Sequence, residues 1–377
     1  MTEQELATAF KKMQARYDEV THDFLVKCGQ QIKEIGQLTS VSINRMAELR
    51  KAGVSVSQIK SELAEVTNLS KLEILEIFKQ VSNDYYNSLE IAPFIADQDA
   101  TKEQLNRVIA GIYEQTAGMM DNYSNTTSIS ERYQEAISTA IEQVLQGGGS
   151  YNEAIEGVLM KTGRIGISVV YESGYERRID SAVRQNVTDG VKQIQQGMAL
   201  QLGQDLQTDG VELSAHPLSA KDHEAIQGRQ FTNEEYAKMQ TGRPFKDVDG
   251  HRYAPIKRPI GEWNCRHFAH PIIIGVSKRQ YTDEQLNKWN TRNNNGMEIG
   301  GKKMSLYEIT QLMREIETSI RHQKDIATIA KASGNEQLKR KCDEKIRKLN
   351  AYYKAIANKS GLLQQNDRTD VYGYSSR

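Results

Sequence analysis

Apolar residues at the start of the chain recur every three or four positions. Leu6, Phe10, Met13, Tyr17, Val20, Phe24, Cys28 and Ile32 form one stripe, the signature of a long amphipathic helix. The same period returns near the other end. Leu306, Ile309, Leu312, Ile316 and Ile320 line one helix, and Leu338, Cys342, Ile346, Leu349, Tyr353 and Ile356 line a second. Gly334-Asn335 separates these two runs, so an antiparallel helical hairpin is expected. Between the ends, capping-box patterns (Ser55-x-x-Gln58, Ser70-x-x-Glu73, Thr101-x-x-Gln104, Ser128-x-x-Glu131 and Ser150-x-x-Glu153) predict five or six short helices by residue 160. Gly147-Gly148-Gly149 marks a stop before Ser150.

The pattern changes after residue 163. Gly163, Gly166 and Gly174 lead into a helix over roughly 175–200. Val211-Glu-Leu-Ser214 then alternates like a strand, Asp249-Gly250 between Val248 and Tyr253 signals a hairpin turn, and Pro271 through Gly275 reads as a short extended run. Five of the six prolines and five of the seven histidines fall between 216 and 271. Proline costs a helix interior ~3 kcal/mol, so this window is strand and loop in an otherwise helical chain. The fold class expected is mostly α with a small α+β domain. The boundaries are 1–160 for a helical N-terminal domain, 161–298 for the α+β domain, 299–360 for the hairpin and 361–377 for a polar tail. That tail carries Tyr372 and Tyr374 and is expected to be mobile, or ordered only against a partner.

Composition narrows the class of protein. The 377 residues balance 49 Lys+Arg against 49 Asp+Glu, which argues against a dedicated polyanion binder. The balance is uneven, however: residues 1–150 carry a net −7 and residues 302–359 a net +7. Three widely spaced cysteines (Cys28, Cys265, Cys342) make no disulfide framework and fit a reducing compartment. The apolar runs fall far short of the ~20 residues of a membrane span, and the acidic N-terminus is no secretory signal. No P-loop, dinucleotide fingerprint, HExxH or hydrolase elbow is present.

Four features carry candidate chemistry. His216, His223, Cys265 and His267 have the donor types of a tetrahedral zinc site, though not the close C-x-x-C spacing. The same residues, with Gln227, Gly228, Trp263, Asn264 and Arg266, can equally form a hydrogen-bonded cluster that fixes loop conformation. Cys265 could act as a nucleophile beside His223, His267 or His270, with Asp222 or Glu262 as orienting carboxylate. Val54 to Lys60 and Ser70 to Leu75 could form a helix-turn-helix. Its second helix offers Lys71, Glu73 and Glu76 in an acidic domain, which points to two helices packed in a bundle instead. Finally, Lys339, Arg340, Lys341, Lys345, Arg347 and Lys348 form a dense basic patch, read as a solvated helix face or as a contact for DNA phosphates or an acidic protein surface.

The histidine blocks carry a resemblance. Ser214-Ala-His-Pro217, then Asp222-His223 through Gln227-Gly228-Arg-Gln-Phe231, then Trp263-Asn-Cys-Arg-His267 with Pro271 to Ser277, resemble the minor capsid protein 2 family of tailed phages. That family is related to the Mu F-like minor head proteins. Tyr171-Glu-Ser-Gly174 with Asp180 to Arg184, and Ser305 to Glu308 with Met313 to Glu317, are similar to it as well, so the likeness spans roughly 1–360. Between the histidines this chain has Leu218-Ser-Ala-Lys-Asp222 where the family has an Ala-Arg-Pro-like stretch, and Ile226 stands where an aromatic is usual. The resemblance implies a low-copy virion protein at the portal vertex inside the head. Its implied partners are the portal protein, the major capsid protein and packaged DNA, in head assembly and in packaging or ejection. Residues and resemblance together lead to the expectation of a structural protein that binds and positions, with no cofactor unless the histidine–cysteine cluster holds zinc. The family's α+β domain is likened to the ADP-ribosyltransferase fold, but Glu315-Ile-Glu317 lies on an apolar-striped helix, not in a strand. The competing class is a virion enzyme, with His216, His223, Cys265 and His267 around a water-activating metal.

Overall fold

The structure is a computed structural model that describes residues 3–36, 56–88, 98–126, 136, 139, 151–262 and 265–374. It is mostly helical with small antiparallel sheets. Among the described residues the long helices that come first are α1 (Glu3–Gly36), α2 (Val56–Ser88), α3 (Gln98–Thr126) and the shorter α4 (Tyr151–Ile165). A hairpin follows, β1 (Ser168–Val170) and β2 (Glu176–Arg178), and then α5 (Ile179–Asp205). The next segment contains β3 (Gly210–Leu213), the one-turn α6 (Lys221–Glu224), β4 (Gln230–Thr232) and α7 (Asn233–Gln240). After these come β5 (Phe245–Lys246), β6 (Arg252–Tyr253), β7 (Ala269–Ile272), α8 (Asp283–Asn295), β8 (Met297–Ile299) and β9 (Lys302–Met304). The long helices α9 (Leu306–Ser333) and α10 (Glu336–Ser360) and a 3-10 turn (Asn366–Thr369) complete the described chain.

These elements divide into two units, each drawn from three stretches of sequence. One, the sheet unit, comprises Met1–Ala7, Lys71–Met119 and Gln185–Thr310; the other, the helical unit, comprises Thr8–Ser70, Met120–Arg184 and Gln311–Arg377.

In the sheet unit, β3 is the central strand of an antiparallel order β4-β3-β7, with Val211 opposite both Phe231 and Pro271. All four residues of β3 are buried, as a strand covered on both faces requires. Pro271 has no N–H to give to a ladder and sits accordingly on an edge strand. Gly210 is obligatory at the first position of β3, because a Cβ there would lie 2.6 Å from the Phe231 carbonyl oxygen. The core beneath is Val211, Leu213, Ile226, Phe231, Tyr236, Met239, Phe245, Ile256, Ile260, Cys265 and Ala269. Phe245 stacks on Tyr253 at 5.3 Å, and both meet the edge or face of Phe231. The Asp249-Gly250 turn joins β5 to β6 as its sequence predicts, with Gly250 at φ 88°.

In the helical unit the predicted stripes face inward. Met13, Tyr17, Val20, Phe24, Cys28 and Ile32 of α1 are buried, as are Ile316 and Ile320 of α9 and Leu338, Cys342, Ile346, Tyr353 and Ile356 of α10. Helices approach closely where a glycine removes the side chain. A Cβ on Gly29 of α1 would meet Ala332 Cβ at 2.6 Å, and one on Gly163 of α4 would meet Ile326 Cα at 2.7 Å. Gly334 (φ 77°) and Asn335, whose side chain caps the Leu338 N–H at 3.0 Å, turn α9 into α10 as expected.

Beneath these helices lies a buried ionic network. Arg178, at the end of β2, donates to Asp18 of α1, to Asp180 of α5 (3.1 Å) and to Asp325 of α9. Arg321 of α9 donates to Asp180 and, at 2.7 Å, to Ser181. Gln14 of α1 adds a third donor to Asp180 at 3.0 Å, and the backbone N–H of Tyr372 donates to Asp18. All five charged residues are at most 6% exposed. Burial alone would push the Asp180 carboxyl up, but Arg321 and Arg178 outweigh it and hold that carboxyl far below the usual carboxylate range. Burial pushes the Asp18 carboxyl the other way, above its ordinary value.

Three expectations are corrected. The two short helices proposed for a helix-turn-helix are one continuous helix, α2. No Gly or Pro interrupts 56–88, and Ser70 falls on the buried stripe of Ile59, Leu63, Thr67, Ile74 and Phe78, not at a cap. Thr101 is likewise inside α3, where its hydroxyl donates to Asp205 at 2.8 Å instead of capping an amide. The tail is docked on its own chain. Gln365 N–H donates to the Tyr353 hydroxyl (2.9 Å), Lys324 reaches the Thr369 carbonyl (2.7 Å), and the Tyr374 hydroxyl donates to Asp343 (3.0 Å). Ser55, Ser128, Glu131, Gly147, Gly148, Gly149 and Ser150 lie outside the described residues.

Truncating one member of a buried ion pair leaves its partner charged and unpaired. Arg178→Ala is therefore expected to cost about 3–5 kcal/mol of stability, read as a lowered denaturant midpoint. A depressed Asp180 carboxyl stabilises the fold at pH values above its unfolded pKa of ~3.9, and that stabilisation is lost as pH falls below it. Asp180→Asn should be less stable than the parent at pH 7 and should lose stability less steeply below about pH 4; an unchanged acid limb would refute the assignment.

Candidate functional site

The sequence-predicted cluster assembles in the sheet unit, at the ends of β3 and β7. The strands hand their outgoing and incoming chains to each other: Ser214 N–H donates to the Phe268 carbonyl (2.7 Å) and Phe268 N–H to the Ser214 hydroxyl (2.8 Å). That pairing sets His216 and His267 side by side, their rings 4.4 Å apart. From His216 the chain runs through Ser219 into α6, which presents His223 inward. It returns to β4 through Gln227 and Gly228, where φ is +67° and a Cβ would press on Leu286. The Gly228 N–H closes this loop on the Leu213 carbonyl at 3.0 Å.

Three buried side chains converge. Cys265 Sγ lies 3.5 Å from His223 Nδ1 and 3.4 Å from His267 Nδ1, and the two Nδ1 atoms are 3.3 Å apart. His223 is 0% exposed, Cys265 1% and His267 4%. The outer ring nitrogens face acceptors. His223 Nε2 donates to the Arg258 carbonyl at 2.8 Å, and His267 Nε2 lies 3.3 Å from Gln227 Oε1 and 3.5 Å from the Ser219 hydroxyl.

Backbone groups fix the orientation of the amides around them. The Glu224 carbonyl can only accept, so it takes Asn290 Nδ2 (3.3 Å). Asn290 Oδ1 must then accept from Gln227 Nε2 (3.0 Å). Gln227 Oε1 in turn accepts the backbone N–H of His216 (3.0 Å) and the Nε2–H of His267. Both histidines therefore carry their proton on Nε2, and both Nδ1 lone pairs point at the sulfur and at each other. Burial and the nearby cationic residues lower the pKa of all three cluster histidines, that of His267 to about 2, so the rings stay neutral.

The remaining candidates are placed as follows. His216 is half-buried, stacked on His267, with Nδ1 3.1 Å from the Pro217 carbonyl. Arg266 is exposed, and Trp263 and Asn264 lie outside the described residues. His270 is exposed on β7, its ring 4.9 Å from Phe268. Asp222 Oδ2 is 3.7 Å from His223 Nε2, whose proton the closer Arg258 carbonyl takes, and Cys265 is buried, which is a poor setting for nucleophilic attack. Glu315 and Glu317 lie on α9, and Glu317 accepts from the Tyr353 hydroxyl.

The second ring of partners was not legible in the sequence. Ser219, Asn290 and the Arg258 carbonyl position the histidines; Asn293 holds the Ser219 carbonyl (3.2 Å). From α5, Lys192 donates to the Cys265 carbonyl (3.0 Å), and Gln196 brackets Ala269 with two hydrogen bonds. The one available sign was the asparagine-rich run Asn290-Thr-Arg-Asn-Asn-Asn295 on α8.

In the helical unit, the basic patch lies on α10. Arg340, Lys341, Lys345, Arg347 and Lys348 are exposed, while Lys339 is half-buried and paired with Asp343 at 2.8 Å. Lys341 pairs with Glu156 at 2.9 Å.

The described residues form a mostly helical protein with small antiparallel sheets and a histidine–cysteine cluster at the strand ends. The chain belongs to the phage minor capsid protein 2 family, whose model matches residues 1–356. A curated relative, named a structural protein, of Lactococcus phage LL-H is 20% identical over 364 residues, covering 89% of this chain and 92% of its own. No solved structure matches. No helix among the described residues is long and apolar enough to cross a membrane.

Gln227 joins three partners in one buried position. Gln227→Leu should cost about 1–3 kcal/mol, because the His216 N–H, His267 Nε2–H and Asn290 lose their partner. Arg266→Ala, at an exposed site, should stay within about 0.5 kcal/mol. Denaturant midpoints of the two variants check this ordering.

Proposed function

We propose that this protein is a low-copy component of a tailed-phage head, seated at the portal vertex inside the shell, and that it works by binding and positioning, not turnover. The observation that carries this reading is the family match over residues 1–356, which takes in the helical segments, the histidine–cysteine cluster and most of α10. The relative's designation as a structural protein supports it.

The surface chemistry supports a division of labour. α10 buries Leu338, Cys342, Ile346, Tyr353 and Ile356 on one face and turns Arg340, Lys341, Lys345, Arg347 and Lys348 outward. In the proposed position that face lies against packaged DNA, where ammonium and guanidinium groups displace condensed counterions. The portal protein and the major capsid protein are the proposed protein partners, and the same DNA-facing position gives the protein a part in packaging or ejection. The cluster around His223, Cys265 and His267 holds the α+β fold together and does not process a substrate.

Co-sedimentation of the purified full chain with portal rings tests the placement. Retention on rings is the expected outcome, and no retention on portal rings at any salt would refute the portal position. Duplex DNA binding should weaken with salt along a log–log slope of about −4 to −5 if the five exposed basic residues each meet a phosphate, and charge reversal at Lys345, Arg347 and Lys348 should reduce that slope by about 3. A slope near zero would remove the DNA-facing role of α10.

A further inference from the structure

Three lone-pair atoms meeting in a buried space with one thiol hydrogen between them is an arrangement that neutral groups alone satisfy poorly. His223 Nδ1 and His267 Nδ1 are both acceptors, because each ring's proton is committed to the Arg258 carbonyl and to Gln227 Oε1 respectively. The Cys265 S–H can serve one of them, which leaves the other facing a lone pair at 3.3 Å. A cation at the centre satisfies all three at once.

The distances have the metric of such a site. Zinc bonds of about 2.0–2.1 Å to imidazole nitrogen and 2.3 Å to thiolate, at tetrahedral angles, put two nitrogens about 3.3 Å apart and nitrogen and sulfur about 3.5 Å apart. The observed edges are 3.3, 3.4 and 3.5 Å. The surroundings match too. A ligating histidine typically gives its other ring N–H to a carbonyl or carboxylate, which fixes its tautomer and aim. Here His223 gives its proton to a backbone carbonyl and His267 to a side-chain amide that is itself locked through Asn290 to the Glu224 carbonyl.

We infer that His223, His267 and Cys265 form a zinc site, with both imidazoles binding through Nδ1 and the sulfur as thiolate. Imidazole with thiolate selects a borderline-soft ion such as zinc over magnesium or calcium. The ion ties the β3–β4 loop, through His223 of α6, to the segment that enters β7. His216 is not one of the three donors: its Nδ1 turns to the Pro217 carbonyl and its ring stacks on His267. The Asp247, Asp249 and His251 group is the contrasting case, two of its three residues being exposed and Asp247 already accepting from Tyr253 and His251. The assignment is independent of the portal reading, since neither result depends on the other.

The test uses the full chain, purified without a histidine tag from zinc-supplemented cells, with metal measured by mass spectrometry and the stripped protein titrated with Co²⁺. Expected are one zinc per chain and a cobalt spectrum with tetrahedral d–d bands and a thiolate charge-transfer band. Cys265→Ser should abolish the charge-transfer band, His267→Ala should lower zinc to a small fraction of one per chain, and His251→Ala should change neither. A folded parent chain with no zinc and only the weak spectrum of octahedral cobalt overturns the site, a result that needs no variant to fold. Full zinc in folded Cys265→Ser and His267→Ala overturns it equally.

Discussion

Arg178 is the residue on which the helical unit turns. Its guanidinium leaves the end of β2 and meets carboxylates from α1, α5 and α9, so three helices that share no sequence neighbourhood are held to one planar group. Apolar stripes alone would let such helices slide or rotate against one another, because burial is not directional. A guanidinium is: its donors lie in a fixed fork, and each carboxylate must arrive from a set direction. The network has three acids and two arginines, and the balance is closed by neutral donors, Gln14 and the Tyr372 backbone N–H among them. The cost of burying these charges is large, so the network is a device for register more than for net stability.

The sheet unit solves the same problem differently. Its strands are two to four residues long and cannot specify a fold by themselves. Geometry is imposed at their ends, where amide side chains with one permissible orientation run from the Glu224 carbonyl through Asn290 and Gln227 to His267. Directional polar groups in both units therefore do what the small apolar cores leave undetermined.

Much of this was legible in the chain. Helical stripes in α1, α9 and α10 are local and repeat every 3.6 residues, and the Gly334-Asn335 turn announces itself. His216, His223, Gln227, Cys265 and His267 stand in two compact blocks. What failed to show has a common cause: it depends on partners far away in sequence. Ser70 and Thr101 have the spelling of caps, but their fate is decided by what lies across from them, a buried stripe in one case and Asp205 in the other. Asp18, Arg178 and Asp325 read as ordinary surface charges until the fold brings them together across separations of 147 and 160 residues. The Arg258 carbonyl could not be read at all, since every residue has one.

The hydrogen bond from the Tyr372 backbone to Asp18 joins positions 354 residues apart. A ribosome adding roughly 5–20 residues per second exposes Asp18 about 18–70 s before Tyr372 emerges. In the first part of that interval α1 carries a carboxylate destined for a dry interior before Arg178 has emerged, and in the rest of it before Tyr372 has. Until Tyr372 is made, Asp18 lacks one of its buried hydrogen-bond donors, so the first helix is sealed by a segment synthesised 354 residues later.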